Sequence, residues 1–461
     1  MKKANIVVIG GSAAGLTAAI TARRHYPEKK TLLVRMEDKV LIPCGIPYIY
    51  GTVGSPENNL IPDALLDKNG IELLVAEVDA INREDCLLQT SAGEVQYDRL
   101  ILATGSVPVE LPIKGIDLAG VYAIRKDVEV LRAMQDRLAT AKDVVVIGGG
   151  FIGIEFADEI NKAGDKNVTV VEIAPHCLSL AYDEEFCVSM EDHVRSRGIT
   201  VRTSARVQEV HGQERVESVL LADGAEIPAE VVVLGVGANP NVELATQANL
   251  EVGTRTGAIA VDRTMRTSDE RIYACGDCAK KISFFGGAPS ALRLASIATS
   301  EARIAAANLY GIRRENIGTV GVWSTAVDGL AMGTAGLTEE MAKRQGYTAV
   351  AATVEGPNRH PGKMPGAANT VLKLVFEKNS GVILGGQVMG DATAGEIINA
   401  LSACIQSKMT AEAIAMFQTG THPALTASPI AYPMVNAAEM ALAQLPRPKN
   451  FGRECMFFAC N

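Results

Sequence analysis

Ile6-Val7-Val8-Ile9-Gly10-Gly11-Ser12-Ala13-Ala14-Gly15 is the stretch on which the fold turns. Four apolar residues read as a short buried strand, and the glycine loop leads into an alanine-rich helix from about Gly15 to Arg24. Thr31 to Val34 reads as the next strand. A strand, helix and strand in that order demand a parallel sheet covered on both faces. Within Gly10-x-Ser12-x-x-Gly15, Gly10 permits the tight turn and the small residues at 11, 12 and 13 let the backbone approach a pyrophosphate. Gly15 lets the helix pack on the strand, and the helix N-terminus offers N–H groups to phosphate.

The same grammar returns about 140 residues on. Val144 to Ile147 is a strand, and Gly148-Gly149-Gly150-Phe151-Ile152-Gly153 is the loop. A helix runs on through Glu155 and Glu159, and Val168 to Val171 is the second strand, ending at Glu172. Two copies in full strand–loop–helix context indicate two bound dinucleotides. Each copy closes with a strand ending in glycine: Leu100-Ile101-Leu102-Ala103-Thr104-Gly105 in one, Val231 to Leu234 then Gly235-Val236-Gly237 in the other. Beyond about residue 320 the character changes to β-rich pieces such as Val371 to Phe376 alternating with helices such as Gly395 to Ser407. That is a separate α+β domain.

Composition agrees. A chain of 461 residues is too long for one ordinary core, and 48% hydrophobic with 21% charged residues is globular. The net charge of −9, without a long basic block, excludes a nucleic-acid binder. Nine dispersed cysteines do not form a secreted disulfide framework, so a reducing cytoplasm is the expected location. Lys2 and Lys3 before an apolar run imitate a signal peptide, but the strand, loop and helix account for every residue in it. No other stretch is long and apolar enough to span a bilayer.

The acid that ends the second strand of such a unit bonds the adenosine ribose. Glu172 stands there in the second copy, about twenty residues past Gly153. A carboxylate accepts from ribose hydroxyls and repels a 2′-phosphate, which favours NADH over NADPH. In the first copy the equivalent stretch is Val34-Arg35-Met36-Glu37: the acid is replaced by Arg35 or displaced to Glu37, and sequence does not decide between them. Further on, Tyr273-Ala274-Cys275-Gly276-Asp277 puts an acid just after a strand and a glycine, where it can reach a ribityl hydroxyl of a flavin.

The first loop, Ala103-Thr104-Gly105, the second loop and the Asp277 motif, in this order, resemble the pyridine nucleotide-disulfide oxidoreductases over nearly the whole chain. The resemblance implies an α/β fold of two Rossmann-like domains, for FAD and NAD(P)H, plus a C-terminal α+β dimerisation domain. The expected boundaries are 1–115 with 243–320 for FAD, 116–242 for NAD(P)H, 321–446 for homodimerisation, and a tail at 447–461. Beside the residues above, it implies cofactor contacts at Val78, Phe151, Ile152, Glu155 and Gly237. Cys275 and Cys278 interrupt the flavin motif without a second pair, so they read as structural, and no metal is expected.

Cys44, in Ile42-Pro43-Cys44-Gly45-Ile46-Pro47-Tyr48, narrows the family. The two-cysteine reductases of this family need a second thiol where Ile49 stands. The chain is therefore similar to the single-cysteine branch: coenzyme A-disulfide reductases, NADH oxidases and peroxidases, and NADH-dependent persulfide or sulfur reductases. A thiolate beside a flavin can cycle through a mixed disulfide or a sulfenate, and a following helix N-terminus is expected to stabilise it. The acceptor is expected to be a small disulfide, persulfide or polysulfide, with coenzyme A as a further ligand that the resemblance allows. The alternatives are oxygen, as in an NADH oxidase, and a protein partner such as ferredoxin or rubredoxin. The peroxidases' loop histidine is replaced by Ala13 and Ala14. His422-Pro423 resembles the acid/base His-Pro of the two-cysteine enzymes, although Ala427 replaces its orienting glutamate. Cys455 and Cys460 in the tail form a second thiol pair that could relay electrons.

Overall fold

The fold rests on a computed structural model, which describes residues 1–446; Cys455 and Cys460 lie outside them. Two compact units emerge, one of Met1–Leu178 with Ser189–Thr319, the other of Ser179–Val188 with the chain from Val320 onward.

The first unit contains two five-stranded parallel sheets. One runs Ile272–Ala274, Arg99–Leu102, Ile6–Ile9, Thr31–Arg35, Glu72–Val75. The other runs Val121–Ala123, Val231–Leu234, Asp143–Ile147, Asn167–Val171, Thr200–Arg202. Each loop-bearing strand is central and apolar through its buried residues, Ile6 to Ile9 in one and Val144 to Ile147 in the other, because a strand covered on both faces must be. Ile6, Val7 and Val8 have no exposed surface, and neither do Val144, Val145 and Val146. The expected helix after the first loop spans Ala13–His25, and its alanines at 18, 19 and 22 bury the face turned to the core.

The sheets differ at one edge. The outer strand of the first, Ile272–Ala274, arrives from far down the chain, while that of the second, Val121–Ala123, precedes its own loop. The Asp277 motif is thereby carried back to the first glycine loop. The strands that leave Gly105 and Gly237 pair with each other, Ser106–Pro108 against Ala238–Pro240. Sequence reading did not anticipate this ribbon. It also missed a four-stranded sheet containing Val78–Asn82 and a three-stranded sheet of Val207–Gly212, Val216–Leu221 and Glu226–Pro228.

In the second unit an antiparallel sheet runs Val322–Val327, Leu330–Gly336, Ile383–Gly390, Asn369–Glu377, Ala349–Pro357. The Ala394–Gln406 helix packs on it through Ile398, Leu401 and Ile405. Lys373 is buried in its middle and offsets its desolvation by pairing with Asp183 at 2.9 Å, Glu185 at 2.6 Å and Glu339 at 3.1 Å.

Candidate active site

Both glycine loops are cradles that side chains would fill. Gly10 has φ +111°, and a Cβ there would lie 2.2 Å from the Ala103 carbonyl oxygen. At Gly15 it would lie 1.8 Å from the Gly10 carbonyl oxygen. The second loop repeats this: Gly148 has φ +105°, and a Cβ on Gly153 would lie 1.9 Å from the Gly148 carbonyl oxygen. Ser12 and Gly150 occupy the N-cap positions of the two helices in extended conformation, so the first-turn amides point toward the loops. A dinucleotide pyrophosphate fits each.

Glu172 closes the second loop. Its carboxylate accepts from Gly149 N at 2.5 Å and from Ala174 N at 2.7 Å, which fixes it at the end of its strand. In the first copy Arg35 is buried, and its guanidinium is committed to Asp63 at 2.6 and 2.8 Å and to the carbonyls of Glu37 and Asp38. Its stem lies against Gly11, whereas Glu37 is exposed. Val78 begins its strand and packs on the core of the first unit.

Gly276 has φ +78°, and a Cβ there would meet the Ala14 side chain at 2.9 Å, so the Asp277 turn lies against the first loop. Asp277 accepts from the Ser106 hydroxyl at 2.9 Å, and Thr104 donates to the Asn241 carbonyl at 2.7 Å. Ser106 and Asn241 were not foreseen from sequence; their signal was the glycine before each ribbon strand, Gly105 and Gly237. A cleft of about 290 Å³ opens beside Asp277, lined also by Lys281, Arg255, Ser290 and Arg293. Cys275 and Cys278 are buried, and burial pushes both thiols up.

Cys44 lies in the 3-10 turn Pro43–Gly45 and is exposed. In place of the expected following helix stands the short 3-10 turn Pro47–Tyr50, and partial burial of the thiol raises its pKa first, with the Glu155 carboxylate raising it further, against Lys126. Glu155 stands on the Phe151–Asn161 helix of the second loop, which packs against the Pro47–Tyr50 turn just after Cys44. Tyr48, four residues on, is pushed up to about 12, by burial first and then by Glu155.

The tie between helix and turn is Glu159, only 1% exposed. It accepts from Thr52 N at 2.7 Å, Thr52 Oγ1 at 3.0 Å and Lys162 Nζ at 2.5 Å. The structure thus joins, within one unit, the helix of the second loop and the stretch that follows the candidate cysteine. Nothing in the sequence marks Glu159 apart from its position on the amphipathic helix.

His422 belongs to the second unit and is exposed, with Nδ1 accepting from Ala424 N at 3.2 Å. Nearby, His360 Nδ1 lies 3.1 Å from the Thr426 carbonyl, and Thr426 Oγ1 accepts from His422 N at 3.0 Å.

The model of the pyridine nucleotide-disulphide oxidoreductases matches residues 4–302, and that of their dimerisation domain matches 322–430. This chain belongs to that family. The oxidoreductase is 33% identical over 398 residues to an NAD(P)H coenzyme A polysulfide/persulfide reductase of Pyrococcus horikoshii, covering 85% of this chain and 88% of that protein. It is 30% identical over 451 residues to an NADH oxidase of Methanocaldococcus jannaschii, covering 95% and 99%. Among solved structures, an NAD-dependent persulfide reductase from A. fulgidus superposes with a TM-score of 0.88 at 33% identity, covering 95% of this chain and 83% of that one. The family and the fold class expected from the motifs are those found. Among the described residues, no helix is long and apolar enough to cross a membrane.

Proposed function

We propose that this oxidoreductase uses NADH to reduce a small disulfide, persulfide or polysulfide through FAD and the single thiol of Cys44. The observation that carries the reading is the packing of the second loop's helix against the Pro47–Tyr50 turn that follows Cys44, with Glu159 bonded to Thr52 and the Glu155 charge acting on the Cys44 thiol. Residues 1–115 with 243–320 would hold FAD, 116–242 the nicotinamide dinucleotide, and 321–446 a second copy of the chain. The return of Ile272–Ala274 to the first sheet and the matched dimerisation model support this division. Bound FAD supplies a two-electron relay between NADH and sulfur.

The first cradle and Asp277 would hold the flavin dinucleotide; Arg35 walls the loop beside Gly11, and Glu37, exposed at the end of the second strand, would be the acid for its ribose. The second cradle holds NADH, with Glu172 on its adenosine ribose. Cys44 thiolate attacks one sulfur of the substrate, forming a mixed disulfide and releasing one thiolate. Two electrons that originate from NADH then break the mixed disulfide, returning the cysteine and releasing the second thiolate. Two protons complete the product thiols, and His422 of a partner copy would donate one of them. Free thiols at every described cysteine support a cytoplasmic location.

The test is anaerobic NADH consumption with coenzyme A disulfide, polysulfide or a ferredoxin, set against oxygen. Sulfur-dependent turnover faster than oxygen reduction is expected. Turnover with oxygen alone would favour the second reading, an NADH oxidase, which the full-length match to the archaeal NADH oxidase supports. Mass spectrometry of the purified chain reads any coenzyme A carried on Cys44.

A further inference from the structure

A buried ion pair stands directly behind the flavin motif, and the reaction sequence above does not use it. Glu301, on the Ala295–Ala307 helix, and Lys281 are 1% and 3% exposed and lie 3.3 Å apart. Between them they grip the two peptide groups that flank Gly276. Glu301 Oε2 accepts from Gly276 N at 2.9 Å. Lys281 Nζ donates to the Gly276 carbonyl at 2.6 Å and to the Ala279 carbonyl at 3.1 Å. The gripped residue has φ +78° and immediately precedes Asp277. Glu301 Oε1 is buried and has no hydrogen-bond partner. A buried ion pair with one oxygen unsatisfied is poor value as a stability element, because its desolvation is incompletely offset.

We propose that Glu301 is a positioning residue for the Asp277 turn: its ionised carboxylate, with Lys281, clamps Gly276 at its amide and its carbonyl and so sets how tightly the chain retains the flavin that Asp277 would hold. The inference rests on the FAD reading above. Two features make the clamp a titratable one. Burial pushes the Glu301 carboxyl up to about 7, opposed by Lys281 and the Gly276 amide, and Asp277 raises it further. A charge-assisted N–H bond to a carboxylate is roughly twice as strong as one to a neutral acceptor, so protonation loosens the grip.

The groups around the carboxyl are few. The motif side presents Lys281, Asp277 and the thiols of Cys275 and Cys278. The Ala13–His25 helix, packed on the Glu301 helix, carries Arg23, Arg24 and His25 in its last turn. The Ile272–Ala274 strand brings Tyr273, whose hydroxyl is committed to the Asn308 carbonyl. The Glu301 helix itself adds Arg303. Among these only Lys281 bonds the carboxylate directly.

The experiment measures FAD dissociation from the purified holoenzyme by flavin fluorescence across neutral pH. The wild-type chain should hold FAD about tenfold more tightly on the alkaline side of the inflection. Glu301→Gln keeps an acceptor for Gly276 N but cannot ionise, so its profile should be flat. Lys281→Met removes the cation that favours the carboxylate, so its inflection should move to higher pH. A flat wild-type profile overturns the proposal, as does an inflection that survives in Glu301→Gln. If Glu301→Gln does not fold, an unmoved inflection in Lys281→Met overturns it. A chain that takes up no FAD at any pH removes the FAD reading and the proposal together, whereas bound FAD with a flat profile removes only the proposal.

Discussion

Cys44 and Glu155 show how one charge sets the working range of one thiol. Burial and the neighbouring carboxylate raise the Cys44 pKa, so its thiolate fraction grows as pH rises past neutrality. Disulfide turnover should therefore climb on the alkaline side. Glu155→Gln removes a raising charge, and the pH–rate profile of kcat/KM should shift toward acid; a profile unmoved by the substitution contradicts the coupling. Glu172 gives a second expectation at this scale. Its carboxylate is fixed by Gly149 and Ala174 at the strand end, where on the proposed reading it would bond a ribose and repel a 2′-phosphate. Glu172→Ala should raise the KM for NADH by about tenfold, the loss of one charge-assisted contact, and narrow the preference against NADPH. Steady-state kinetics with both nucleotides check it.

At the scale of elements, the loops were legible because a short apolar strand, a glycine turn and a helix leave a local pattern. Ile6–Ile9 and Asp143–Ile147 fall within a residue of the expected strands, and the Ala394–Gln406 helix within a residue of the expected one. The small three- and four-stranded sheets were not legible. Their strands are short, half-exposed and paired across turns, so they lack a continuous apolar run. Glu159 escaped for a different reason: its partner Thr52 is 107 residues away, and no local periodicity encodes that pairing. Two outcomes follow. Gly15→Ala forces a Cβ to within 1.8 Å of the Gly10 carbonyl oxygen, so FAD should be lost on purification, seen as a missing visible spectrum. Glu159→Gln leaves Lys162 without its strongest counter-ion and weakens the grip on Thr52. Its cost should be about 1–3 kcal/mol, read as a lowered unfolding temperature, with a further loss of Cys44-dependent turnover.

For the whole molecule, the order of motifs along the chain carried more information than any motif alone. The Asp277 motif is distant in sequence from the first loop, yet the edge strand Ile272–Ala274 brings it against Ala14. That return is why the expected FAD region is discontinuous, and order alone suggested it. His422 could not be placed relative to Cys44 by sequence, since an exposed histidine on another unit has no local signature of its partner. The Glu301–Lys281 pair was equally invisible, because its meaning lies in the peptide groups it grips.

The central claim is that electrons from NADH reach a sulfur substrate through Cys44. It is tested most directly by anaerobic NADH oxidation with coenzyme A disulfide or polysulfide, comparing the wild-type chain with Cys44→Ser. The account predicts that the variant keeps its FAD spectrum and its reduction by NADH but loses sulfur-dependent turnover by about two orders of magnitude or more. Unchanged sulfur-dependent turnover in Cys44→Ser contradicts it.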